Sequence, residues 1–135
     1  MSYKIQEIEG IGPAYAEKLA TANINTTDDL LDSCSKPGGR KTISEQTGLS
    51  EKLILEWTNL ADLMRISGIG PEYADLLEEA GVDTIKELRT RNAENLAAKM
   101  NEINETKKLT RAVPVTSVVE DWIAKAKEMQ PRITY

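Results

Sequence analysis

Apolar positions in this chain recur at helical spacing, and nowhere in the sustained alternation of a half-buried strand. Tyr15, Ala16, Leu19 and Ala22 share one helical face, and Tyr73, Ala74, Leu77 and Ala80 share another. Pro13 and Pro71 suit a first helical position, where a missing N–H costs nothing, while Asn23 and Gly81 suit the left-handed residue that ends a helix. Thr26 and Thr84 then predict fresh helix starts, with Asp29 and Glu87 three residues on as capping-box partners. Further helical spacing runs through Ile43, Leu49, Leu53, Leu60 and Leu63, and later through Leu96, Met100 and Ile103. Residues 36–41, KPGGRK, read as a turn-rich break, and Pro114 punctuates before Val118, Val119, Trp122 and Ala126. Residues 103–119 hold β-branched side chains, but charge through Lys108 and the proline interrupt any strand. The expected fold class is all-α.

The chain also resembles itself. Residues 8–31, IEGIGPAYAEKLATANINTTDDLL, align without a gap to residues 66–89, ISGIGPEYADLLEEAGVDTIKELR, at an offset of 58. Gly10, Ile11, Gly12, Pro13, Tyr15, Ala16, Leu19, Ala22, Thr26 and Leu30 find identical residues in the second copy. Two later segments, WTNLADLM from Trp57 and WIAKAKEM from Trp122, correspond at an offset of 65, so the second copy carries about seven extra residues between Arg89 and Val115. The pattern divides the chain into residues 1–64, ending in the Trp57 helix, and 65–135, ending in the Trp122 helix, packed as one compact unit. Both tryptophans are expected to anchor the core.

Composition narrows the chemistry. The 135 residues are 40% hydrophobic and 29% charged, which suits one soluble globular body. No apolar run approaches membrane-spanning length, and charges near the start exclude a signal peptide, so a cytoplasmic protein without a membrane partner is expected. Histidine is absent and Cys34 is the single cysteine, which removes disulfide frameworks, Cys/His zinc sites and histidine-activated nucleophiles. Cys34 itself reads as a half-buried small residue. Carboxylates at Asp28, Asp29 and Asp32, or at Glu78 and Glu79, have the spacing of a solvated helical face rather than a cation loop. No catalytic constellation emerges, and the expected protein is not an enzyme.

What remains is the pair of glycine turns. A Gly-x-Gly turn reverses the backbone and leaves amides uncovered at the start of the next helix, where anions are attracted. A dinucleotide-binding loop is excluded, because Tyr15 stands where a third glycine is needed and no strand leads in. The segments EGIGPAYAEKL and SGIGPEYADLL resemble the hairpin and second helix of helix-hairpin-helix domains. That resemblance implies non-specific contact with the phosphate backbone of DNA, in some members with a monovalent cation on the hairpin carbonyls, and no other cofactor. The wider pattern of paired Gly-Ile-Gly-Pro modules with a tryptophan-bearing last helix is similar to an uncharacterised bacterial family, domain of unknown function 4332.

Charge qualifies the expectation. A net charge of -5 opposes a surface that embraces nucleic acid over its whole extent. Residues 1–35 and 66–89 are each net -4, whereas residues 36–41 are net +3 and residues 90–111 net +2, so positive charge falls in the connections. Glu72 follows the second turn where Ala14 follows the first, and opposes phosphate there. The expected site comprises Gly10, Ile11, Gly12, Pro13 and Ala14, with Lys18, Lys36, Arg40 and Lys41 as auxiliaries, and Gly68, Ile69 and Gly70 as the second copy. A protein-interaction scaffold that has lost phosphate affinity is the competing expectation, with a protein partner in place of nucleic acid.

Overall fold

A computed structural model describes residues 2–135. A short 3-10 turn, Ile5–Glu7, precedes eight helices: α1 Pro13–Thr21, α2 Thr27–Cys34, α3 Pro37–Thr47, α4 Glu51–Leu63, α5 Pro71–Glu79, α6 Ile85–Leu88, α7 Ala93–Lys107 and α8 Thr116–Glu128. The fold is all-α. Among the described residues the one trace of sheet pairing is an isolated antiparallel bridge between Lys4 and Thr26, which ties the start of the chain to the α1–α2 turn. No helix of the described residues is long and apolar enough to cross a membrane.

Local chemistry sets the helix boundaries. Pro13 and Pro71 open α1 and α5 at their first positions. Asn23 (φ 64°) and Gly81 (φ 93°) take the left-handed conformation that turns the chain towards the next helix. The Thr26 hydroxyl accepts from Asp29 N–H at 3.1 Å while the Asp29 carboxylate accepts from Thr26 N–H at 3.1 Å, completing a reciprocal cap on α2. At the matching place in α6 only half of this box forms. Thr84 accepts from Glu87 N–H, but the Glu87 carboxylate turns to Arg91 at 3.0 Å, and the buried Asp62 takes the Ile85 N–H at 2.8 Å.

The centre of the molecule is α4, whose residues from Trp57 to Leu63 are all buried. It packs against α2, α3 and α5, while α8 lies on α6 and α7. Buried side chains from Ile5 through Ala126 form one contiguous core across both sequence copies. By contrast α8, matching α4 in sequence position, buries only Val119, Trp122, Ile123 and Ala126. The difference lies in composition, since Lys125, Lys127 and Glu128 stand where α4 has Leu60, Asp62 and Leu63. The extra residues of the second copy lengthen the end of α7 and the loop before α8. There Asn104 holds Thr110 through both main-chain groups at 3.0 Å, and Tyr73 Oη donates to Ala112 O at 3.2 Å.

Two expectations need correction. Residues 36–41 are not a break, because α3 starts at Pro37 and runs through Gly38, Gly39, Arg40 and Lys41. A Pro-Gly-Gly sequence resembles a turn in isolation. Here Pro37 supplies the first helical position, and Gly39 is needed because a Cβ there would stand 1.9 Å from the Ser33 carbonyl oxygen. Cys34 is fully buried, not half-buried, and burial pushes its thiol pKa up to about 11, with Arg40 opposing the shift.

The two helical glycines of α3 therefore respond oppositely to alanine. Gly39→Ala drives a methyl into main chain and is expected to cost more than about 3 kcal/mol. Gly38→Ala meets nothing within 4 Å and is expected to stabilise by about 0.5–1 kcal/mol through helix propensity. Urea denaturation of both variants reads the contrast.

Candidate functional site

Each glycine turn is built the same way. Gly10 and Gly68 adopt positive φ (92° and 101°), and their inner sides back onto a tryptophan. A Cβ at Gly10 would lie 3.7 Å from Trp57 Nε1, and one at Gly68 would lie 3.2 Å from Trp122 Nε1. The same tryptophans meet Tyr15 and Tyr73 at ring-centroid separations of 5.1 and 5.3 Å, in tilted geometry. Ile11 and Ile69 drop into the core, so their side chains are unavailable to a ligand and only their main chain remains at the turn. A glycine-tryptophan-tyrosine packing unit thus fixes each turn on its helix.

The outer glycines differ from one another. Gly12 is the N-cap of α1 in extended conformation, gives no side-chain cap, and has nothing within 4 Å of a would-be Cβ. Pro13 and Ala14 behind it are exposed, and no acidic residue stands in the first turn. The amides of Ala14 and Tyr15 precede the first helical bond, which Ala16 N–H makes to Gly12 O at 3.0 Å. Gly70 caps α5 similarly, but a Cβ there would lie 3.9 Å from the Tyr3 hydroxyl, and Glu72 occupies the first turn. The second turn is therefore partly covered and carries its own carboxylate.

The expected basic auxiliaries separate. Lys18 and Lys41 are exposed on α1 and α3. Lys36 borders a cleft of about 350 Å³ with Ser33, Ser35, Gly39 and Arg132, at the α2–α3 junction. Arg40 is not a surface cation. It is 5% exposed and donates to Cys34 O and Ser35 O at 3.0 Å and to Thr134 O at 2.7 Å, so it is structural and withdrawn from any phosphate. Two cations that the sequence did not single out flank the second turn. Lys125 donates to Ser67 O at 3.3 Å and pairs with Asp121 at 2.9 Å, while Arg65 pairs with Asp62 at 2.8 Å. Arg65 stands there by sequence, three residues before Gly68, whereas Lys125 is brought there by tertiary packing without a local signal.

Carboxylates crowd the polar side of α5. Burial pushes the Asp75 pKa up, reinforced by Glu9 beside the first turn and by Glu79, with Lys107 opposing. Burial, then Asp75, Glu56, Glu79 and Asp83, raises Glu78 to about 6. Glu79 is paired with Lys107 at 2.5 Å. Glu78 is thus a half-buried, perturbed group rather than part of a fully solvated face. Among the described residues no three His, Cys, Asp or Glu side chains gather as a metal-binding group.

The model of a family described as a domain of unknown function, DUF4332, matches residues 9–129, from the first glycine turn to the end of α8. The chain belongs to DUF4332. No curated protein and no solved structure is significantly similar to this DUF4332 chain. The match spans both glycine turns and both tryptophan helices, the parts that pack against one another as described above.

The Glu78 environment gives this DUF4332 protein a definite pH response. A folded-state pKa above the ordinary 4.5 means that the carboxyl destabilises the fold at pH 7, and that the penalty fades as pH falls through about 6. Glu78→Gln is expected to raise stability at pH 7 by under about 1 kcal/mol after solvent screening. The gap to the parent should narrow as pH falls below about 6 and close only below 4.5, as followed by denaturant midpoints across the pH series.

Proposed function

We propose that the protein is a non-catalytic, tandem helix-hairpin-helix binding module of the bacterial cytoplasm that contacts nucleic-acid phosphate without reading base sequence. The first Gly-Ile-Gly-Pro turn is its principal contact. One observation carries this reading: Gly12 leaves the start of α1 open, uncapped and free of carboxylates within its first turn. A phosphate oxygen there would accept the Ala14 and Tyr15 amides and meet the positive end of the helix dipole. Lys18 and Lys41 would add sequence-independent attraction. The second turn, with Gly68, Ile69 and Gly70, contributes less because Glu72 and Tyr3 stand beside it.

A second reading, a protein-interaction scaffold without nucleic-acid affinity, draws on the burial of Arg40 and on Glu9 lying near Asp75. Both features thin the positive charge around the first turn. They leave a main-chain anion socket with few cationic neighbours.

Gly12→Asp separates the readings without disturbing the fold. Its backbone already has N-cap geometry with room for a side chain, so a carboxylate there caps the amides and raises stability by a few tenths of a kcal/mol. In fluorescence anisotropy with labelled duplex and single-stranded DNA at low salt, the parent is expected to bind and Gly12→Asp to bind about tenfold or more weakly. Lys18→Ala or Lys41→Ala should make the slope of log affinity against log salt shallower by about 1 for each phosphate that the lysine neutralises. Equal binding by Gly12→Asp would remove the phosphate from that turn. Absence of binding by the parent leaves the scaffold reading.

A further inference from the structure

The 58-residue offset that aligns the two glycine turns also aligns what precedes them. Residues 4–8 correspond to 62–66, the end of α4 and the run into Gly68. α4 therefore serves both copies: Trp57 backs the Gly10 turn, and the helix also packs along α5. Glu56, two turns before Leu63, is one of the charges that raise Glu78, which places it towards the far end of α5. Among the described residues the first copy has no such helix, only the 3-10 turn Ile5–Glu7 with Lys4 extended before it. Tyr3 O accepts from Thr27 N–H at 2.9 Å where Asp62 takes the matching Ile85 N–H at 2.8 Å. The result is an open groove of about 560 Å³ along α1, lined by apolar Ile5, Pro13, Ala16 and Ala20 with Lys4 and Glu17 among its charged members. The copies differ residue by residue on this face. Ala74 is fully buried and Ala16 only partly, and Asp75 and Glu78 are half-buried where Glu17 and Ala20 are exposed.

We propose that this groove is the docking site for a helix of a partner protein, laid along α1 as α4 lies along α5, with aliphatic side chains on Ala16 and Ala20 and a basic residue facing Glu17. The internal repeat supplies the template for the occupant, since the corresponding face of the second copy is covered by a helix, and helix-in-groove recognition uses the same apolar spacing. Charge sets the basic residue. Residues 1–35 are net -4, and the effect of Glu56 on Glu78 shows that an acidic occupant meets repulsion on this face. A second copy of the chain is poorly matched. Its α4 is buried in its own molecule, and α8, the counterpart of α4, carries Lys125, Lys127 and Glu128 where α4 has Leu60, Asp62 and Leu63. The groove does not depend on phosphate at Gly12 and stands whether or not the first turn binds it.

The probe is a fluorescein-labelled peptide reproducing residues 50–61 with Glu56→Lys, held helical by a lactam between positions 54 and 58, on the face opposite position 56. Fluorescence anisotropy should show binding to the full chain, and binding about tenfold or more weaker to Ala20→Arg, whose side chain fills the groove with like charge. Glu17→Lys should weaken this peptide about two- to fivefold, and the peptide with the parental Glu56 should bind Glu17→Lys more tightly than it binds the parent. Ala20 and Glu17 are both exposed on α1, so these variants should keep the parental circular dichroism and thermal midpoint. Glu102→Arg, exposed on α7, should bind as the parent does. No binding of the helical peptide at up to about 1 mM protein, or equal affinity of Ala20→Arg and parent, overturns the proposal. A parent that sediments as a dimer while Ala20→Arg sediments as a monomer would assign the groove to a second copy and overturn it as well.

Discussion

The structure depends on the burial of α4 from every side. A helix with no solvent face in its second half must look inward for partners, and α4 carries three polar residues there, Thr58, Asn59 and Asp62, of which Asn59 keeps a buried Oδ1 without a hydrogen-bond partner. Thr58 donates back to Ile54 O at 2.7 Å, and Asp62 accepts from Arg65 and from Ile85 N–H, each at 2.8 Å. The Asp62 carboxylate therefore does two things. It pairs its own buried charge with Arg65, and it starts α6 by accepting from one of its unpaired first-turn amides. With α2, α3 and α5 all against α4, the two sequence copies share one contiguous core.

That arrangement explains why the glycine turns stand rigidly while presenting main chain. Within each Gly-Ile-Gly sequence the labour is divided by position. The first glycine takes a backbone conformation that side chains rarely adopt and lies against tryptophan; the isoleucine enters the core; the second glycine faces outward. Structural demand and exposure fall on different residues. An altered second glycine can thus change what the turn presents without disturbing how it is held. The first and second turns already differ in this way, through Ala14 and Glu72 and through the approach of Tyr3 to Gly70.

Much of the helical order was legible because its determinants are local. Pro13, Pro71, Thr26, Asn23 and Gly81 act through their own backbone and the next three or four residues, so their sequence context suffices. The tryptophans were legible as core for their size. The reading of residues 36–41 failed where a distant group decides. Gly39 is required by the Ser33 carbonyl across a helix junction, and the fate of Arg40 is set by Thr134. A basic residue in a polar, glycine-rich stretch carries no local mark of burial. The charge around the turns was equally illegible, since Glu9 and Asp75, or Lys125 and Ser67, meet only through packing.

Arg40 also imposes an order of events on the emerging polypeptide. Two of its acceptors, Cys34 O and Ser35 O, are close in the chain, but the third lies 94 residues downstream at Thr134. During synthesis the first half of the protein leaves the ribosome long before that carbonyl exists, and one guanidinium nitrogen must stay hydrated until it arrives. The bond from Arg40 to Thr134 O is consequently a late one, postponed by the entropy of so wide a loop, while the bonds to Cys34 O and Ser35 O can form as soon as α3 has been made.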